Sequence, residues 1–423
     1  MKILHMSIQE ITFEDIENFC EEKNREGIQL DYKVDLTEGS LAKHFAAFSN
    51  TRGGIIVIGV QQNKDTGLPE SWKGIPITNS AKYIERINQW ATSITPVPHF
   101  QVTATSEKKG KVFVILRIYE GDKPPYFVDY NPNIYERTGD ITSLIKHASP
   151  DLVEILFNKK EKAELARLNL FKRAEDVYQH ALRQEDIKRK RLIDEAKQKQ
   201  DGSENSYYQK NLGTDAVMST ITLQPFFPIK ALVNPSEIVE KISDYTVDKS
   251  TYTSFPERSL NPMPDGAYHF SHNYAGNLQC HQIYSYGLMF FAQNIRDVHR
   301  NTNTIYLSYI AGKIFVFLSS ARNFYKLCNY QGVLIGSLKI DNMIGKMVEE
   351  ISSNGRLMFP KNIESFLPTY NWEIETDTDI LNDNDEFYSY YMQLLRKIYW
   401  GLGIRDMNEG LIKEFLQNNR LTL

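Results

Sequence analysis

The stretch Leu41 to Val60, LAKHFAAFSNTRGGIIVIGV, constrains this chain more than any other. Leu41, Ala42, Phe45 and Phe48 recur at helical spacing, which predicts a helix over 39–49. Gly53 and Gly54 stop it, and GIIVIGV (54–60) then runs with no polar alternation. Such a strand is expected at the centre of a sheet, covered on both faces. The order helix, glycines, strand is the reverse of a dinucleotide fingerprint, and the glycine spacing and Lys-Ser/Thr of a phosphate loop are absent. Gly53-Gly54 therefore reads as a helix stop that launches a buried strand, and no nucleotide cofactor is expected.

Residues 1–157 form one α/β unit around this feature. Thr12 is placed to cap a short helix carrying Ile16, Phe19 and Cys20. GIQLDYKVDL (27–36) alternates strictly: Ile28, Leu30, Tyr32, Val34 and Leu36 face one way, and Gln29, Asp31, Lys33 and Asp35 the other. An exposed Asp–Lys face on an edge strand is the plain account of that pattern. A further helix holds Ile84, Ile87, Trp90 and Ile94, HFQVTATS and KVFVILRI suggest a hairpin across EKKGK, and Ser149-Pro150 opens a helix.

Residues 158–206 read as a charged helical linker, a long exposed helix or helical pair closed by DGSENS. From 159 to 200 there are 13 Lys/Arg against 8 Asp/Glu and no Gly or Pro, which suits a solvated helix. Residues 207–423 are expected to be a C-terminal α+β domain that senses or recruits something. It has a helix after Asn234-Pro235, a central apolar helix over 304–327, a strand over 332–340 and an aromatic helix over 386–400. Trp372 to Tyr388 holds seven acids and no base. His269, His272, Cys280 and His281 have the chemistry of zinc ligands, although adjacent Cys-His is poor geometry for two of them.

Composition bounds the rest. A chain of 423 residues with 41% hydrophobic residues suits two or three globular domains. The net charge is −4, so any nucleic-acid surface must be local. Three scattered cysteines favour a reducing cytoplasm. The opening MKILHMSIQE lacks an apolar signal core, and no apolar run is long enough for a membrane span. A cytoplasmic protein without membrane contact is expected.

LDYK, AFSNTRGGIIVIGV, PPYF (124–127) and YERTG (135–139), in that order, resemble the Schlafen AlbA_2 domain family over roughly residues 10–157. The resemblance implies a mixed-sheet domain that binds RNA or DNA. Some family members, notably vertebrate Schlafens, are metal-dependent ribonucleases. For a nuclease it implies three acids holding Mg²⁺ or Mn²⁺, and these positions map to Glu26, Asp31 and Gln62. The third is neutral here, and Asp65 is the nearest acid able to replace it as a metal ligand. Lys33 shares a strand face with Asp31 and can address the same phosphate. Lys33, Arg52, Lys108, Lys109, Lys111 and Arg137 lie in or beside the matching elements as candidate phosphate contacts, with Lys159, Lys160 and Lys162 following. Vertebrate Schlafens carry two such lobes and this chain carries one, so a homodimer that rebuilds a two-lobed groove is expected. Nucleic-acid binding in regulation or antiphage defence is the first expectation. A ribonuclease using Glu26 and Asp31 is the second. A protein-interaction scaffold working through 373–386 and the aromatic second domain is the third.

Overall fold

A computed structural model describes residues 3, 6, 8–36, 40–121, 123–129, 131–138, 145–198, 217–228, 231–249, 252–272, 278–295, 304–328, 330–349 and 363–421. The chain divides into two compact units, residues 1–164 and 165–423, and the architecture is α+β. DGSENS lies outside the described residues.

In the first unit, helix α1 (Phe13–Glu21) starts at a capping box in which Thr12 and Asp15 satisfy each other's backbone N–H groups. Strand β1 (Leu30–Lys33) leads to α2 (Ser40–Asn50) and β2 (Gly54–Ile58). A small hairpin of β3 (Val60–Gln62) and β4 (Pro69–Trp72) follows, then β5 (Ile75–Pro76) and α3 (Ile77–Ala91). The remaining strands are β6 (Ile94–Thr95), β7 (Phe100–Ala104), β8 (Lys111–Val112), β9 (Val114–Ile118), β10 (Phe127–Val128), β11 (Asn131–Arg137) and β12 (Ile145–His147). The main sheet has the order β1-β2-β9-β7, with β1 parallel to β2 and the other pairs antiparallel.

β2 is central and covered on both faces. Ile56 and Ile58 belong to the core that includes Phe45 and Phe48 of α2, whereas Ile55 and Val57 pack with Ile16, Phe19 and Cys20 of α1. Two details depart from the sequence expectation. The alternation over 27–36 yields a strand only to Lys33, Val34 is 59% exposed, and Asp31, far from lying on an exposed face, is buried. Ile94 belongs to β6, because α3 ends at Ala91.

Helix α4 runs unbroken from Pro150 to Gln198. The exposed-linker expectation is corrected over its second-unit part. There Ala174, Tyr178 and Ala181 are buried against Cys280, Tyr284 and Phe290. Apolar stripe residues at three- and four-residue spacing make that contact possible.

The second unit is built on a seven-stranded antiparallel sheet with Gly266–His272, Leu278–Tyr284, Met289–Ile295, Val217–Pro225, Val333–Asp341 and Thr369–Asp377 in spatial order after the edge strand Asn261–Met263. One face packs on α4, and the other on the central helix Leu307–Leu327, most of which is buried. Strand geometry removes the zinc candidate. Cys280 and His281 point to opposite faces of the sheet, Cys280 into the α4 contact and His281 against Phe255 and Phe291. His272 instead pairs with Glu185 at 3.4 Å, and His269 stands opposite His281. Part of the acidic 373–386 stretch has a local role. Asp377 accepts from the N–H groups of Asp379 and Ile380, and Asp383 from those of Asp385 and Glu386, each capping a helix. No helix among the described residues is long and apolar enough to cross a membrane.

Candidate functional site

The residues that carry the family likeness converge at the end of α2. Gly53 takes a positive φ of 63° and its N–H donates to Phe48 O at 2.9 Å, closing the helix. Gly54 has no room for a side chain: a Cβ would lie 2.4 Å from the Phe48 ring and 2.5 Å from Gln29 O. Asn50, 3% exposed, donates through its amide to Tyr126 O at 2.7 Å and Tyr135 O at 3.0 Å, and its Oδ1 accepts from Tyr126 N–H at 2.7 Å. Thr51 Oγ1 donates to Ala47 O and accepts from Arg137 N–H. The Asn-Thr-x-Gly-Gly turn is thus a clamp that ties the PPYF and YER segments to α2.

What the clamp positions is Arg137. Its guanidinium lies 4.4 Å from the Phe48 ring centroid. It reaches Asp31 Oδ1 at 3.1 Å, Gly27 O at 2.6 Å and Leu30 O at 2.9 Å. Lys33 Nζ stands 2.6 Å from Asp31 Oδ2, and His44 Nδ1 is 3.6 Å from the same oxygen. Asp31, Arg137 and His44 are all buried, whereas the Lys33 side chain is 24% exposed. Glu26 is turned by its neighbour: Tyr32 N–H donates to Glu26 Oε1 at 2.6 Å, and Glu26 N–H donates to Gly67 O at 2.9 Å.

The electrostatics follow from burial and company. Burial, then the Asp31 charge, push the Glu26 carboxyl up to about 7. Burial also works against the Asp31 carboxylate, but His44, Lys33 and Arg137 outweigh it and hold Asp31 below the usual carboxylate range. Burial holds His44 down at about 4, against the pull of Asp31. Near neutral pH, Lys33 and Arg137 therefore balance the carboxylates, and His44 is neutral.

A resident divalent ion does not fit this arrangement. Both Asp31 oxygens already face cations, Lys33 Nζ at 2.6 Å from one and Arg137 at 3.1 Å from the other. Glu26 Oε2 and Gln62 Oε1 are buried acceptors without hydrogen-bond partners among the described residues, but only one of them carries charge. Asp65 sits exposed in the turn after β3, where its N–H donates to Asn63 Oδ1. Among the described residues no three His, Cys, Asp or Glu side chains converge, and hard cations such as Mg²⁺ need charged oxygen ligands or substrate phosphates to complete their sphere.

The proposed phosphate contacts separate. Arg137, 3% exposed, has no surface to offer; its planar fork is spent on Asp31 and two carbonyls. Lys108 packs over Phe13 and pairs with Glu17 at 2.5 Å, against α1. Lys33 lies on the opposite, α2 face of the sheet with Asp31, whose register partner Ile56 belongs to the α2 core. Lys109 and Arg52 are exposed and Lys111 is half-buried. Lys159 is buried and paired with Glu120, and Lys162 is exposed; the Lys160 side chain is outside the described residues.

Sequence reasoning missed three residues on the α2 side. Exposed Lys43 lies 5.6 Å from the Tyr135 ring centroid and His147 packs 5.0 Å from it, while His44 joins the buried cluster. His44 did leave a signal. It falls three residues after Leu41 and four before Phe48, on the buried stripe of the helix.

Among curated proteins none matches the chain. A family model does match: residues 26–146 fit that of the Schlafen, AlbA_2 family, and this span runs from Glu26 through the Arg137 clamp to Lys146 in β12. The match supports a nucleic-acid-related role, and it identifies residues 26–146, within the N-terminal unit, as a Schlafen AlbA_2 domain.

Proposed function

We propose that the first unit binds RNA or DNA through backbone phosphates on its α2 side, and that it holds nucleic acid rather than cutting it by a metal-dependent route. The observation that carries this reading is Lys33. Its ammonium is partly exposed, yet it is anchored at 2.6 Å by a carboxylate that is itself buried and locked by Arg137. A cation held in this way is oriented before a phosphate arrives, which lowers the entropy lost on binding. Lys43 and His147 flank Tyr135 on the same α2 side, and Arg52 follows at the end of α2.

Titration of labelled tRNA, single-stranded DNA and duplex DNA by fluorescence anisotropy tests it. Affinity should fall steeply between low and moderate salt, as counterions released by phosphate contacts require. Lys33→Ala with Lys43→Ala should weaken binding more than Lys109→Ala with Lys111→Ala, which lie on the hairpin beside α1. A flat salt response would sink the reading. The same samples with Mn²⁺, Mg²⁺ or EDTA address cleavage. Metal-dependent cutting that disappears in both Glu26→Ala and Asp31→Ala would replace it with the ribonuclease, whose metal would then have to arrive with the substrate. Homodimerisation, giving a two-lobed groove, belongs to the proposal; a monomeric mass by light scattering at micromolar concentration counts against that part.

A further inference from the structure

The Asn384–Gly401 helix of the second unit ends beside an open groove of about 780 Å³. Trp372, Trp400, Arg396, Lys397, Arg405 and Asp406 line it. The two indoles differ. Trp372 is held: it stacks on Tyr370 at 5.7 Å and its Nε1–H donates to Lys397 O at 3.1 Å. Gly401 lets the helix end close on it, since a Cβ there would lie 2.8 Å from Trp372 Nε1. Trp400 is 69% exposed, a large flat ring standing in water at a helix end. That is an expensive side chain to leave uncovered, because most of an aromatic surface forgoes burial.

Charge narrows the occupant. Three cations line the groove against one carboxylate. Arg396 pairs with Glu409, through its Nε at 3.1 Å. Lys397 and Arg405 are exposed and make no ion pair among the described residues. Compensation of the helix dipole acts within the last turn, which holds no basic residue. It does not account for Arg405, which lies beyond the helix, nor for Trp400. An acidic peptide would use the cations and leave the indole idle. A nucleotide chain uses both, because every base has a π face to stack and every linkage a phosphate.

We propose that this groove is a second nucleic-acid contact that takes single strands, with a base stacked on Trp400 and adjacent phosphates on Lys397 and Arg405. The inference deepens the nucleic-acid reading of the first unit and rests on it. The test uses the full chain with a labelled oligo(U) strand, a duplex of mixed sequence and polyglutamate. Trp400→Ala and Arg405→Glu should each weaken oligo(U) binding about tenfold, in the range expected for one stacked base or one phosphate contact, and change duplex binding little. Trp400→Phe should keep most of the affinity, and a 4-thiouridine strand should crosslink to the peptide carrying Trp400. Both positions are exposed, so an unchanged circular dichroism spectrum and thermal midpoint certify folding. Unchanged oligo(U) affinity in both variants overturns the proposal, as does polyglutamate competing equally well. If Lys33→Ala leaves affinity intact while Trp400→Ala removes it, the first-unit reading fails and the groove stands. The reverse pattern removes the groove alone, and a wild-type chain that binds no nucleic acid removes both.

Discussion

Each unit buries a cluster of ionisable side chains, and the two clusters are built on opposite principles. In the first, Asp31 is 1% exposed and faces two cations, and Arg137 also serves two carbonyl oxygens. In the second, His281 is fully buried between Phe255 and Phe291, and neither ring nitrogen has a hydrogen-bond partner among the described residues. Lys313, 3% exposed, lies over the Phe291 and Tyr309 rings. Burial carries Lys313 down to about 7, with Glu257 opposing, and drives His281 well below its ordinary value. At its centre the first cluster keeps the Asp31 charge and pairs it with Lys33 and Arg137, whereas the second tolerates burial by tending to neutrality. The pairing needs precise partners, and those partners belong to the family signature; no motif marks the second cluster.

The comparison breaks most visibly at Arg137. Arg137→Ala leaves Asp31 buried without its fork and takes a donor from the Gly27 and Leu30 carbonyls, of which Leu30 O keeps the Gly27 N–H. We expect a loss of about 3–5 kcal/mol in denaturant unfolding, the range for removing one partner of a buried pair. A loss under about 1 kcal/mol would mean that water reaches Asp31. Gly54→Ala should follow, at about 1–3 kcal/mol, because the new methyl meets the Phe48 ring and a backbone carbonyl in a packed interior. An unchanged midpoint there would show that α2 can retreat from β2.

The same contrast explains what could be read from the sequence. The buried central strand was legible because four consecutive apolar residues, Ile55 to Ile58, cannot face water on either side. The helix stop at Gly53 was legible for its local chemistry. The Asp31 environment was not: alternation over 27–36 put it with Lys33, which is correct, but could not say that α2 and β11 cover that face. Arg137 looked like a phosphate contact because an arginine beside a glycine motif carries no sign of burial. The partners of its guanidinium, Asp31, Gly27 and Leu30, lie more than 100 residues away in sequence. The His281–Lys313 cluster was invisible for a related reason, since strand pairing and the central helix bring its members together only in three dimensions.

Opposite principles imply opposite responses to pH, and Lys313 gives the larger one. Its folded value of about 7 lies below the unfolded 10.5, so between them the unfolded chain binds more protons and stability rises with pH. Lys313→Met should flatten that rise, by at most about 1.4 kcal/mol per pH unit, in denaturant titrations from neutral to alkaline pH. An identical slope in the variant would mean that Lys313 stays solvated.

The first cluster gives the smallest effect, because two of its members cancel. Glu26 has a folded value of about 7 against 4.5 unfolded, so the native chain holds the extra proton and its contribution falls as pH climbs between those values. His44 has a folded value of about 4 against 6.5, so its contribution rises over nearly the same window. Their sum should be close to level between about pH 4.5 and 6.5. Glu26→Gln removes the falling part and should uncover a stability that rises with pH, and His44→Gln should uncover one that falls. Pairing is what makes the cancellation work: both groups answer to Asp31, which raises the carboxyl beside it and draws the imidazole up against burial. If both variants keep the wild-type profile, neither group titrates in the folded cluster, and Lys33 and Arg137 alone set its charge.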